Sequence, residues 1–297
     1  MVDVDGGSFH PKYIFLADKQ NRTLSVWGHK NGIPVLIAYY PMDIGKNSGD
    51  KAVGGDDRTP VGIYFIQERR EMAKVNYENY GIRAFTLNYP NFFDRFEGKS
   101  GYGIWLHAIP ETKTLRRGSE GCVVVRNDTI RKLTPLVTLK RTPVIILDHV
   151  NYVTPEQLAK NRQAALAWLE SWRHDWETKN LDAYMDHYAH DFKGRYKSLK
   201  MDKRQWRRYK GWLNKRYKSI HVAVRNPFVL TNDDQAIFHF IQVYHSSGKN
   251  DTGEKTLYAR RTPNGQYKIL SEVWGPLGPD ANPEKAPALN VSAEAQN

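Results

Sequence analysis

Gly101-Tyr-Gly-Ile-Trp-Leu-His107 and, after ten intervening residues, Gly118-Ser-Glu-Gly-Cys-Val-Val-Val-Arg-Asn127 are the stretch on which the reading of this chain turns. His107 ends one apolar β-prone run, and Cys122 follows a glycine and opens a second. If the two runs are neighbouring strands, both side chains emerge at one edge of a sheet, which suits a thiol–imidazole pair. A free thiol has a pKa near 8.5 and is mostly protonated at neutral pH. A nearby histidine is expected to convert it to the nucleophilic thiolate. Gly121 permits a tight turn before Cys122, and the backbone N–H groups of Gly121 and Cys122 can then point at a developing oxyanion. The pair alone is a weak signal in a chain with ten histidines. Cys122 is the only cysteine, so neither an internal disulfide nor a multi-cysteine zinc site can form. A lone cysteine is most often a small buried apolar residue.

Outward from this stretch, the first half reads as strands and turns. Residues 13–17 and 23–27 are β-prone runs joined by the polar turn Asp18–Arg22, and residues 35–40, 62–66, 83–89, 103–107, 123–125 and 144–147 continue the pattern. A loop rich in glycine and charge runs from Gly45 to Pro60. Asn127-Asp128 is expected to cap a short helix carrying Ile130, Leu133 and Leu136. Thr154-Pro155-Glu156 then opens a long amphipathic helix with Leu158, Ala165, Leu169, Trp172 and Trp176 at helical spacing. Two more helices follow, capped by Asn180 and Asp202, and then strands at 221–224, 236–244, 256–261 and 267–273. The expected division is a tail over 1–11, a mostly-β domain over 12–150, an α+β domain over 154–275 and a disordered tail over 276–297.

The composition is globular, with 40% hydrophobic and 26% charged residues, and the net charge of +12 suits an acidic partner such as a wall polymer, a nucleic acid or a lipid surface. No apolar run reaches the 18 residues of a membrane span. The first residues lack the basic start and apolar stretch of a signal peptide, so the sequence reads either as cytosolic or as lacking its export signal.

The region 12–150 resembles the L,D-transpeptidase catalytic (YkuD) family, whose signature is a histidine, a spacer and Ser/Thr-x-Gly-Cys. His107, Ser119, Gly121 and Cys122 match it in order. Upstream, Gly54-Gly-Asp-Asp-Arg-Thr-Pro-Val-Gly-Ile-Tyr64 looks like the family's Gly-Asp…Thr-Pro-x-Gly-x-Tyr element, and Arg83-Ala-Phe-Thr-Leu-Asn-Tyr-Pro-Asn91 resembles a further family segment. The departures are Glu120 before Gly-Cys where many members have histidine or arginine, Val124 where many have arginine, and Ala108 where many have glycine. With its second domain, the chain is similar to the cell-shape LD-carboxypeptidases of helical bacteria, which join this catalytic domain to a nuclear-transport-factor-2-like (NTF2-like) domain. The resemblance implies a β-sandwich followed by an α+β cone, and a location in the periplasm or cell envelope. It implies that the Cys122 thiolate attacks the diaminopimelate–D-alanine bond of a peptidoglycan stem tetrapeptide, with His107 protonating the leaving amine and Ser119 orienting His107. Water or an amine then resolves the thioester. Tyr102, Trp105 and Arg126 are candidates for lining the site. No cofactor and no metal are expected.

In the second domain His187 and His190 sit three apart and read as ordinary helix-face histidines. Residues 191–218 hold twelve Lys/Arg against two Asp/Glu, interleaved with Tyr196, Trp206, Tyr209, Trp212 and Tyr217. Basic plus aromatic is also how single-stranded nucleic acid is gripped. Beside a wall enzyme, an acidic wall polymer or a membrane surface is the preferred partner of this segment. The alternatives to an enzyme are a non-catalytic wall-binding protein and a nucleic-acid-binding module.

Overall fold

The computed structural model describes residues 10–30, 33–72, 76–116, 118–196, 199–232, 234–278 and 288–289. The chain forms two compact units that meet in sequence between Tyr152 and Val153. In the first unit the strands are β1 (Ile14–Asp18), β2 (Thr23–Lys30), β3 (Ile33–Pro41), β4 (Gly62–Glu71), β5 (Arg83–Leu87), β6 (Trp105–Ile109), β7 (Val123–Arg126) and β8 (Pro143–Leu147). Their order is β3-β2-β1-β8-β4-β5-β6-β7. Only β1/β8 and β6/β7 run parallel. Strand β4 is shared: residues 62–65 pair with β8 and the remainder with β5, so the sheet turns there. Alternate residues of every central strand, among them Phe15, Ala17, Tyr64, Ile66, Phe85, Leu87, Leu106, Ala108, Val123, Val125, Val144 and Ile146, converge in one apolar core. A strand period of two sends the intervening residues to the opposite face.

Three short helices complete this unit: α1 (Tyr77–Tyr80), α2 (Phe92–Phe96) and α3 (Asn127–Leu133). The first two are too short to leave a helical period in the sequence. A capping box between Asn91 and Asp94 starts α2. The cap expected of Asn127 is not made: Arg126 is the N-cap and Asn127 the first helical residue. The Asn127 amide is buried instead. Its Oδ1 accepts from the Ile82 N–H at 2.8 Å, and its Nδ2 donates to Tyr77 and Glu111 at 3.1 Å. Satisfying these buried groups outweighs a solvent-facing cap.

The second unit opens with α4 (Pro155–Glu177), capped by Thr154, then α5 (Leu181–Asp186), capped by Asn180, and α6 (Lys203–Arg216), which starts on an Asp202/Gln205 capping box. Four antiparallel strands, β11 (Ile220–Asn232), β12 (Gln235–Ser246), β13 (Asn250–Arg261) and β14 (Tyr267–Gly275), form one sheet in sequence order. Its core is largely aromatic, with Trp172, Trp176, Tyr184, Tyr188, Phe192, Trp206, Phe238 and Phe240 among its members. A hairpin of β9 (Lys193–Tyr196) and β10 (Leu199–Asp202) lies inside the basic stretch, where charge hides any strand alternation. The expected tail over 1–11 lies outside the described residues except His10 and Pro11, which are both buried. Of the tail expected to be disordered from 276, Leu277 packs near Ile241 and the Leu289 N–H bonds Val224 at 2.9 Å, while most of the rest lies outside the described residues.

Candidate active site

Parallel pairing of β6 with β7 places Leu106 opposite Val123 and His107 opposite Val124. Because Leu106, Ala108, Val123 and Val125 face the core, His107 and Cys122 fall on the same opposite face of adjacent strands. The sheet therefore places the two residues of the motif on one face from segments separated in sequence.

The immediate contacts of each are specific. His107 is only 5% exposed, and its Nδ1 lies 2.8 Å from the Ala108 carbonyl. A carbonyl only accepts, so Nδ1 carries the proton and Nε2 keeps its lone pair as the basic nitrogen. Burial pushes the imidazole pKa down to about 4, against the opposing pull of that hydrogen bond. Tyr80 at the end of α1 meets the ring edge-on, with centroids 5.0 Å apart. Cys122 Sγ accepts the Trp105 N–H at 3.4 Å and lies 3.5 Å from the Gly103 carbonyl. Burial raises the thiol pKa to about 11; the Trp105 N–H and the charge of Lys51 oppose this, and Glu120 adds to it. Burial thus pushes both groups toward their uncharged forms. The ready thiolate expected from the sequence gains no support from these surroundings, because burial disfavours the charged form of each group.

Ser119 does not orient His107. Its hydroxyl donates to the Cys122 carbonyl at 2.8 Å and accepts the Gly121 N–H at 3.2 Å, so it fixes the turn that presents the thiol. That turn consumes the Gly121 N–H, and of the two expected oxyanion donors only that of Cys122 is not spent on Ser119. Gly121 has φ +119°, and a Cβ there would lie 2.5 Å from the Arg58 carbonyl. Glycine is therefore required on conformational and steric grounds together.

The three lining candidates divide. Trp105 adjoins Cys122 through its backbone N–H, and its ring lies 5.1 Å from the Tyr80 ring and 5.1 Å from the Arg70 guanidinium. Tyr102 is 90% exposed beside it in sequence. Arg126 instead ties down the 111–113 loop through the carbonyls of Glu111 and Lys113. The departures also find physical places. The Ala108 methyl is accommodated because Gly81, which it faces, has no side chain: a Cβ there would come within 2.6 Å of it. Val124 is buried, and its N–H and C=O both pair with Asp43, at 2.9 and 2.7 Å.

One residue that sequence reasoning passed over is Lys51. It is 2% exposed, and its ammonium donates to Asp56 at 2.6 Å and to the Val53 carbonyl at 3.0 Å. Burial alone would raise the Asp56 carboxyl, yet Lys51 and the N–H groups of Ala52, Val53 and Arg58 hold it well below its ordinary value. The loop so knotted delivers the Arg58 carbonyl against Gly121. Its glycine and charge marked it as a loop, but nothing in the sequence paired Lys51 with Asp56. In the second unit α5 ends at Asp186, so His187 and His190 do not lie on a helix face as expected: His187 caps the helix and bonds Asp175 at 2.8 Å, and His190 is exposed in the turn that follows. Among the described residues no cluster of His, Cys, Asp or Glu is placed to hold a metal, and no helix is long and apolar enough to cross a membrane.

Comparison with known proteins agrees with this architecture. The L,D-transpeptidase catalytic domain (YkuD) family matches residues 12–146, and the Cds6 C-terminal NTF2-like domain matches residues 164–273. The structure of Bdellovibrio bacteriovorus Bd1075 is 40% identical, with a TM-score of 0.84 over 94% of this chain and 98% of that one. The helical cell shape determining protein Pgp2 from Campylobacter jejuni is 25% identical, with a TM-score of 0.71 over 89% of this chain and 92% of that one. None of the curated proteins matches the chain. The extent of these matches shows that the chain belongs to the peptidoglycan-modifying L,D-transpeptidase (YkuD) family, as a member whose catalytic domain is joined to an NTF2-like domain.

Proposed function

We propose that Cys122 forms a thioester with the diaminopimelate of a peptidoglycan stem tetrapeptide and releases the terminal D-alanine. The observation that carries this reading is the Ala108 carbonyl on His107 Nδ1, which leaves Nε2 as an unprotonated base on the same sheet face as the thiol. As Sγ bonds to the carbonyl carbon, its proton passes to Nε2, and the carbonyl electrons move onto an oxyanion facing the Cys122 N–H. Collapse of the tetrahedral adduct breaks the C–N bond, and His107 returns the proton to the departing amine of D-alanine. Water, deprotonated by His107, then hydrolyses the thioester to a tripeptide; an amine in its place gives a cross-link. The reaction is expected in the periplasm or cell envelope, where this polymer lies.

The high thiol pKa favours a second reading, in which the domain binds wall peptides without chemistry. Incubation with a carbapenem, followed by intact mass spectrometry, separates the two. The enzyme reading predicts a covalent adduct of one drug molecule on wild type and none on Cys122→Ala. A thiol that stays unmodified supports the binding-protein reading.

A further inference from the structure

Helix α6 carries seven Lys/Arg residues and no acidic residue over Lys203–Arg216. Trp206 and Lys210 turn inward and are buried, whereas Arg204, Arg207, Arg208, Trp212, Lys215 and Arg216 are exposed. Arg207 is paired with Asp182. Arg204, Arg208, Lys215 and Arg216 have no acidic partner among the described residues. Arg204, Arg208, Trp212 and Arg216 recur every fourth residue and form one ridge along the helix, roughly 18 Å long at about 1.5 Å per residue. Trp212 is 53% exposed and stacks on Tyr209 with an interplanar angle of 20°, and the Arg216 guanidinium sits 5.4 Å from its ring. Like charges four apart destabilise a helix by a few tenths of a kcal/mol each. This ridge therefore does not serve the stability of α6.

We propose that the α6 ridge is a docking face for the polyanionic glycan–peptide polymer itself, separate from the stem peptide held at Cys122. The inference rests on the peptidoglycan reading of the site. Guanidinium groups at regular intervals match a polymer that repeats its carboxylates, and each can take one bidentately. The fixed Trp212 ring offers a flat apolar face for sugar C–H groups beside those cations. A lipid surface fits less well, because an interfacial helix needs a broad exposed apolar face and α6 exposes only Trp212. Single-stranded nucleic acid fits less well because it needs several open aromatic faces, and α6 exposes one aromatic residue, Trp212.

The test is cosedimentation of the full chain with purified, protein-free sacculi over a salt series. Wild type is compared with Arg204→Gln/Arg208→Gln/Arg216→Gln and with Trp212→Ala, all of matched thermal midpoint. The expected result is at least a tenfold loss of sacculus affinity and a shallower salt dependence in the triple variant, and a severalfold loss in Trp212→Ala. Turnover of soluble tetrapeptide muropeptide should be unchanged, since none of these residues belongs to the catalytic unit. Sacculus binding by the triple variant at the wild-type level overturns the proposal. So does wild-type binding to phosphatidylglycerol vesicles, or to a single-stranded oligonucleotide, as tight as to sacculi. If wild type docks through the ridge but leaves muropeptides intact, docking stands and only the catalytic reading falls.

Discussion

At the scale of single residues, the proposed nucleophile and base are two buried groups whose surroundings favour their uncharged forms. With the thiol near pKa 11 and the imidazole near 4, the proposed mechanism has the proton leave sulfur only as the substrate carbonyl accepts the attack. The thiolate fraction should then grow tenfold per pH unit up to about 11, so iodoacetamide alkylation of Cys122 should rise with unit slope between pH 7 and 10. A thiolate–imidazolium pair would instead give a plateau across neutral pH. His107→Gln should leave that alkylation profile in place while lowering turnover by about 10²–10⁴-fold, the usual worth of a positioned base. The motif singled out Cys122 and His107, which the strand register places on one sheet face, because chemistry restricts residue type. It could not reveal their protonation, which depends on burial and on which carbonyl meets Nδ1. Ser119 was legible as a motif member but not as the residue that bonds both neighbours of the turn.

At the scale of elements, strands were legible wherever apolar and β-branched residues ran together, as in Val123–Arg126 and Pro143–Leu147. What stayed hidden was held by polar contacts at long range. Asn127 looks like a cap and is in fact a buried clamp on Tyr77 and Ile82, and α1 and α2 are too short to show a period. The Lys51–Asp56 knot belongs to the same class. Lys51→Met should cost about 3–5 kcal/mol in chemical denaturation, as expected for breaking a largely buried pair. The sign of its pH dependence follows from Asp56, whose folded pKa lies below the unfolded value of about 3.9. Its stabilising share is therefore present above that value and lost as pH falls below it. Wild type should lose its advantage over Lys51→Met on acidification below about pH 4; a difference that persists undiminished there would assign the loss to packing alone.

At the scale of the whole molecule, two units of different texture follow each other, and the change at Thr154-Pro155 was legible because a strand period gives way to a helical one. The basic stretch 191–218 was legible as charge but not as structure, since hairpin and helix share one composition there. Lys210 shows the difference: it reads as one more surface cation, yet it is 5% exposed, with its ammonium 3.9 Å from the Trp176 ring. Burial lowers its pKa to about 7. Between about pH 7 and its unfolded value near 10.4, the unfolded chain binds the proton that the folded one has released. Stability therefore rises with pH across that window. Lys210→Met should remove this rise and, at pH 7, leave the protein as stable as wild type or more so by about 1–3 kcal/mol, as apolar replacement of a buried charge often does. A loss of stability at pH 7 would mean that the cation–ring contacts outweigh desolvation. The central claim, that Cys122 opens the diaminopimelate–D-alanine bond, is tested most directly by digesting purified muropeptides with wild type and with Cys122→Ala and reading the products by mass spectrometry. The account predicts conversion of tetrapeptide to tripeptide, or to amine-linked dimers, by wild type only. Equal conversion by Cys122→Ala, or tetrapeptide left intact by a wild type whose thiol is reactive, would contradict it.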